Sequence, residues 1–227
     1  MDNIWIYIIV AGLFILETLI QRVLSKRFVE DLAYLLYEKG DAKAYLEKLD
    51  SFSGKFFIGK KKRKFMSIDG YLLLDDKAKI DEIFDELENT NLSYAAQVGL
   101  LQKQIQYWVK NKQCERANKA NDLLQVMGAK INDPQMKLMA EECNALVQIN
   151  CNNNGDLVKE MIAKGDASTS DFGKAIYYYR AAKCYYFKKD KAMMDKYLKE
   201  AQLKAAGTPL LKHIELCIKD NSMFLEQ

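Results

Sequence analysis

The chain has 227 residues, 49% hydrophobic and 29% charged, with 34 Lys and Arg against 31 Asp and Glu for a net charge of +3. That balance does not point to nucleic acid as the main partner, and the length allows one sizeable core. Only 2 Pro and 11 Gly interrupt a chain rich in Lys, Ala, Leu and Glu, which favours an all-α fold.

The chain opens on an apolar run, Ile4 to Ile20, in which Ile4 to Leu16 carries no charge. Seventeen residues at about 1.5 Å each reach about 26 Å, short of a hydrocarbon core of about 30 Å but extendable by Val23 and Leu24. The run is expected to be a single transmembrane helix. Trp5 and Tyr7 suit one interface, and Glu17, one turn before Arg22, suits the other or a contact with a neighbouring span. A cleaved signal peptide would want a basic start and a small-x-small cleavage site, and the chain begins Met1-Asp2-Asn3. A buried core helix would show a solvent-facing stripe, which Ile4 to Leu16 lacks. Arg22, Lys26 and Arg27 follow the run, so positive flanking charge places the N-terminus outside and the C-terminal domain in the cytoplasm. Residues 1–26 are then an anchor and juxtamembrane segment, and 27–227 a cytosolic helical domain.

A first helix is expected to run on to Lys39-Gly40, where Gly favours a C-terminal cap. Further helices are predicted over Ala42–Leu49, Gly59–Leu74 and Lys77–Glu88, with Ser51-Phe52-Ser53-Gly54 read as a loop. Ser93–Lys110 and Cys114–Met127 follow. Asp133-Pro134 opens a helix reaching about Ile149. A short helix over Asp156–Ala163 precedes Ser170–Lys188 and Lys191–Ala206, and Pro209 restarts a last helix through Ile218.

The turns between paired helices fall at Asp41, Asp76, Gln113, Asp156 and Asp190, at spacings of 35, 37, 43 and 34 residues. The clearest unit, Tyr177 to Ala201, resembles a tetratricopeptide repeat. Ala182 stands at the small residue where paired helices cross, Tyr185 at the aromatic position one turn later, and Met194, Leu198 and Ala201 at second-helix positions. The same register places Ala33, Leu36, Leu49 and Phe52 in a first unit, and Ile80, Phe84 and Leu87 in a second. It places Ile105, Trp108, Ala117 and Leu124 in a third, and the fourth fits poorly. The resemblance covers residues 27 to 206. It implies an α-solenoid of about five TPR-like antiparallel helix pairs plus a C-terminal helix.

It also implies a concave groove lined by first helices. Its candidate partner-binding residues are Tyr34 and Tyr37, Gln102, Lys103 and Gln106, and Tyr179, Arg180, Lys183 and Tyr186. Tyr and Arg suit recognition, although Tyr at this density also packs cores. A second candidate is the basic run Lys60, Lys61, Lys62, Arg63 and Lys64, flanked by Phe56-Phe57 and Phe65, which could dock on anionic lipid or stand as a solvated helix start.

The phosphate-binding, zinc-protease and nucleophile-elbow motifs are absent, and no cofactor is implied. His213 is the only histidine, so a metal site is not expected. The five cysteines form no C-x-x-C pair and are expected to be reduced thiols. Together these features predict a membrane-anchored scaffold or adaptor binding a protein or peptide, or a structural subunit of a membrane complex, and not an enzyme.

Overall fold

The computed structural model describes residues 21–130 and 133–226. Every regular element among them is helical. The chain divides into two compact units, Met1–Ser93 and Tyr94–Gln227.

The expectation of a single-pass membrane protein with a cytoplasmic domain is corrected. Among the described residues no helix is long and apolar enough to cross a membrane. The longest α-helices, Tyr94–Lys110, Pro134–Asn150 and Asp171–Phe187, have 17 residues each and carry polar residues, where a span needs about 20 apolar residues. The run Ile4–Ile20, and Glu17 within it, lie outside the described residues.

In the first unit, helix α1 covers residues 21–33 and passes into a single π-helical turn, Tyr34–Glu38. It is followed by α2 (Ala42–Asp50), α3 (Phe52–Phe57), α4 (Lys60–Leu74) and α5 (Lys77–Glu88). Phe28, Leu32 and Leu36 from the first helix close on Tyr45 and Leu49 of α2 and on Ile58. Helix α2 also packs on α4, and α4 on α5, whose Ile80, Ile83, Phe84 and Leu87 are buried at helical spacing.

Helix α3 replaces the loop expected at Ser51-Phe52-Ser53-Gly54. The Ser51 hydroxyl accepts a hydrogen bond from the Gly54 amide at 3.2 Å and so starts a helix. Gly54 is needed there because a Cβ would stand 2.1 Å from the Leu49 carbonyl oxygen. Phe52, placed at a packing position by the repeat register, is instead exposed.

The second unit holds α6 (Tyr94–Lys110), α7 (Cys114–Gly128), α8 (Pro134–Asn150), α9 (Val158–Ala167), α10 (Asp171–Phe187), α11 (Lys191–Lys204) and α12 (Pro209–Lys219). Short 3₁₀ turns, Gly155–Leu157 and Asn221–Leu225, precede α9 and follow α12. Helix α6 packs on α7 and α8, and α10 on α9 and α11. A core of Ala175, Ala181 and Ala182 lets α10 lie close to Met194, Leu198 and Ala201 of α11, with Ile214 and Phe224 closing one end.

One turn recurs along the chain. At Gly40, Asp75, Lys112, Asn153 and Lys189 the backbone takes a left-handed φ between 52° and 63°. In three of these turns the next residue is an aspartate, Asp41, Asp76 or Asp190, whose carboxylate accepts an amide from the following helix at 3.0–3.1 Å. Backbone bonds from Asp76 to Tyr71, Gln113 to Trp108 and Asp190 to Tyr185 close the preceding helix. A left-handed C-cap and a carboxylate N-cap thus stand side by side, satisfying orphan carbonyls and amides within two residues.

The cysteine expectation is also corrected. Cys114, at the start of α7, and Cys151, just past α8, form a disulfide with Cα atoms 5.2 Å apart. Cys143, Cys184 and Cys217 remain free and buried. Packing of α7 on α8 brings together two residues 37 apart, so the cysteines no longer argue for a reducing compartment.

Candidate functional site

In the first unit, Tyr34 and Tyr37 are exposed on the π turn one helical step apart. The Lys39 ammonium stands 5.2 Å from the Tyr34 ring centre, a cation–π distance. Partial burial, and then the nearby Asp69 carboxylate, raise the Tyr37 phenol above its ordinary value, so it stays protonated. On α6, Gln102 and Lys103 are half-buried and Gln106 is exposed.

The four candidates on α10 have different surroundings. Tyr179 lies in the core, with its hydroxyl 2.9 Å from His213 Nε2 and its ring against Phe224. Arg180 donates to Glu142 Oε2 at 2.7 Å. The same carboxylate accepts from Lys164 at 2.7 Å and from the Tyr177 hydroxyl at 3.1 Å, so it ties α8, α9 and α10 together. Burial pushes the Glu142 carboxyl up, but the hydrogen bonds from Lys164 and Arg180 outweigh it and the net shift is downward. Lys183 is buried at 3% exposure and donates to Asn150 Oδ1 at 2.8 Å. Tyr186 is half-buried, its ring 5.2 Å from Phe224.

The basic run opens α4. Lys61 donates to the Asn91 carbonyl at 2.8 Å, Arg63 to the Ile58 carbonyl at 2.9 Å, and Lys64 pairs with Glu86. Lys60 and Lys62 face solvent. Gly59 offers no side-chain cap, and the first turn holds no acidic residue. Cations therefore crowd the positive end of a helix, the unfavourable arrangement for both.

Comparison of the chain with protein-family models, with curated proteins and with solved structures gives no match. Function is therefore argued from the surface itself.

Two features escaped the sequence. Phe52 and Phe56 on α3 stack with centroids 6.4 Å apart while 84% and 61% exposed. Their i, i+4 spacing was the available signal, lost because the segment reads as a loop. The second is a polar cluster inside the second unit: Cys217 Sγ lies 3.4 Å from His213 Nε2, which also meets Tyr179. Burial, and then the nearby Lys183 cation, lower the His213 pKa, so the ring is held neutral. Burial raises the Cys217 thiol. A protonated thiol in a dry core is a packing group, not a nucleophile. No group of three or more His, Cys, Asp or Glu among the described residues is placed to hold a metal ion.

Proposed function

We propose that the chain is an interaction module, a scaffold or adaptor built from TPR-like helix pairs, that binds a protein partner and does not catalyse a reaction. The observation that carries this is the stacked, exposed Phe52–Phe56 pair. Covering one such ring is worth about 1.5–3 kcal/mol, so the pair offers a binding increment that the isolated chain leaves unused. Aromatic rings of this kind are enriched at the centres of protein interfaces. Lys55, paired with Asp50 at 3.3 Å beside the rings, gives the patch the polar rim such interfaces have. Tyr34 and Tyr37 form a second exposed aromatic pair on the same unit.

The test is quantitative affinity capture with the full chain and with Phe52→Ser/Phe56→Ser and Tyr34→Ser/Tyr37→Ser pairs, each checked for unchanged helicity and melting. A partner enriched by the parent chain and lost with one pair, but not with a distant surface change such as Lys199→Ser, supports the reading and locates the surface. Equal recovery with both pairs removes both surfaces from it. A partner that co-purifies in fixed stoichiometry through gel filtration marks a permanent subunit of a complex rather than a transient adaptor.

A further inference from the structure

Lys183 is a cation out of place. Two cations close to it in the chain have carboxylates: Arg180 has Glu142, and Lys188 has Asp156 at 2.5 Å. Lys183 is more buried than either, yet among the described residues its hydrogen-bond partner is the neutral Asn150 amide oxygen. An ammonium carries three donors, and burying one without a counter-charge costs several kcal/mol. The C-terminal end of α8, at Asn150, supplies a partial negative charge. A partial charge does not neutralise a full one.

Lys183 lines a cavity of about 170 Å³, together with the Asn150 that accepts its hydrogen bond. Lys112, from the α6–α7 turn, lines it too and adds a second positive charge. Among the described residues the side-chain partner of Lys112 is Glu226, in an exposed 3.6 Å pair, a contact of little energetic weight in solvent. The remaining wall is mostly apolar, with Val109, Phe187, Phe224 and Leu225 beside the Cys114–Cys151 disulfide and Asn150 and Asn153 as its polar members. A water molecule claims about 30 Å³, so the cavity takes only a few heavy atoms, far fewer than the drug-sized ligands of larger pockets.

We propose that this cavity binds a short-chain monocarboxylate, its carboxylate on the Lys183 ammonium with Lys112 beside it and its aliphatic tail against Val109, Phe187 and Phe224. A single negative charge matches the one buried cation and fills its missing acceptors. The apolar wall favours a tail over a fully hydrated oxyanion: phosphate or sulfate would turn strongly solvated oxygens toward hydrocarbon, and these groups cost free energy when they lose water unpaired. The site is separate from the exposed aromatic pairs of the first unit and does not depend on their role.

The test uses the full chain and sodium butyrate, with phosphate, sulfate and chloride at matched ionic strength as comparisons. Calorimetry is expected to show one saturable butyrate site, bound roughly tenfold or more tighter than phosphate or sulfate. Amide shift changes are expected to centre on Lys183, Phe187 and Phe224. Lys183→Met should lose binding while retaining the fold. Should that variant fail to fold, Val109→Phe, which fills the cavity and keeps the cation, must lose binding in its place. The proposal is overturned by absence of saturable butyrate binding, by unchanged affinity in Lys183→Met or Val109→Phe, or by phosphate binding as tightly as butyrate.

Discussion

The guanidinium of Arg180 rests 2.7 Å from a Glu142 oxygen, and that one carboxylate also holds Lys164 and Tyr177. Three helices meet on it. Replacing Glu142 by Gln takes the carboxylate from Arg180 and leaves Lys164 with Glu160 at 2.9 Å, and breaking such a cluster costs about 1–3 kcal/mol once partial exposure is allowed for. Denaturant unfolding of Glu142→Gln should show that loss, and Glu141→Gln, exposed one residue earlier, should show none. The sign in acid follows from the lowered Glu142 pKa. A carboxyl depressed on folding contributes stability that is present above its unfolded value, 4.5, and lost as pH falls through the folded value. The parent chain should therefore lose this increment below about pH 4.5, and the Gln variant should have none to lose.

Lys183 works in the opposite sense. Burial holds its ammonium down, from 10.5 to about 8, a penalty on the charged form of about 3 kcal/mol. Between those two values the unfolded chain keeps a proton that the folded chain has released, so this residue makes stability rise with pH across that window. Other groups face it: Lys112 from the α6–α7 turn, His213 and Cys217 from α12, and Cys184 on its own helix. The raised thiols of Cys184 and Cys217 act against it above pH 9, because their folded forms keep protons longer. The difference between the parent chain and Lys183→Met isolates the lysine. At pH 7 and without added carboxylate, the Met variant should be more stable by about 1–3 kcal/mol, and the gap should narrow from about pH 8 and close only above pH 10.5. A variant less stable than the parent at pH 7 would contradict the assigned penalty.

The Cys114–Cys151 disulfide closes a loop between residues 37 apart. In the loop-entropy account that constraint is worth about 4 kcal/mol. Melting in the presence of a dithiol reductant should be lower by a corresponding margin, and a Cys114→Ser/Cys151→Ser chain should match the reduced parent and ignore the reductant. Thiol titration of the unfolded, unreduced chain should count Cys143, Cys184 and Cys217 alone.

What the sequence disclosed, and what it hid, follows the range of the interactions. Asp41, Asp76 and Asp190 marked helix starts because a cap is chemistry between residues two or three apart, and each carboxylate is found on its amide. The helix boundaries around them came out close for the same reason. Ser51 misled because a serine hydroxyl serves a turn and a helix N-cap equally well, and the choice rested on Gly54 fitting under the Leu49 carbonyl. Lys183 was read as a groove residue since nothing within a few residues records that it will be buried with its ammonium on Asn150. Tyr179 was read as a groove residue because a tyrosine-rich stretch gives no sign of which ring will find His213. The disulfide was missed because pairing depends on α7 meeting the end of α8, and an odd cysteine count says nothing about that.

The recurring turn supplies a stabilising change. Lys189 sits at φ 58° with an exposed side chain, a backbone region that costs a non-glycine residue about 1 kcal/mol. Gly40 fills the equivalent position in the first turn. Lys189→Gly should raise stability by about 0.5–1 kcal/mol, somewhat offset by the extra freedom glycine gives the unfolded chain. Chemical denaturation checks it. The same change at Lys188, which ends the preceding helix at φ −77°, should destabilise instead.

The start of α4 makes the opposing case, in which sequence and helix electrostatics disagree. Lys60 and Lys62 occupy the first turn, where amide groups already present positive charge, and Gly59 contributes no cap. Substituting Lys60→Glu and Lys62→Glu reverses two unfavourable charges, each worth about 0.3–1 kcal/mol at low salt. The double variant should unfold at higher denaturant, and the gain should shrink as salt screens it. If the basic run serves only to solvate a helix start, partner recovery in affinity capture will be unchanged. If it meets an anionic partner, the same variant will be more stable and bind less, a trade that a purely structural role cannot produce.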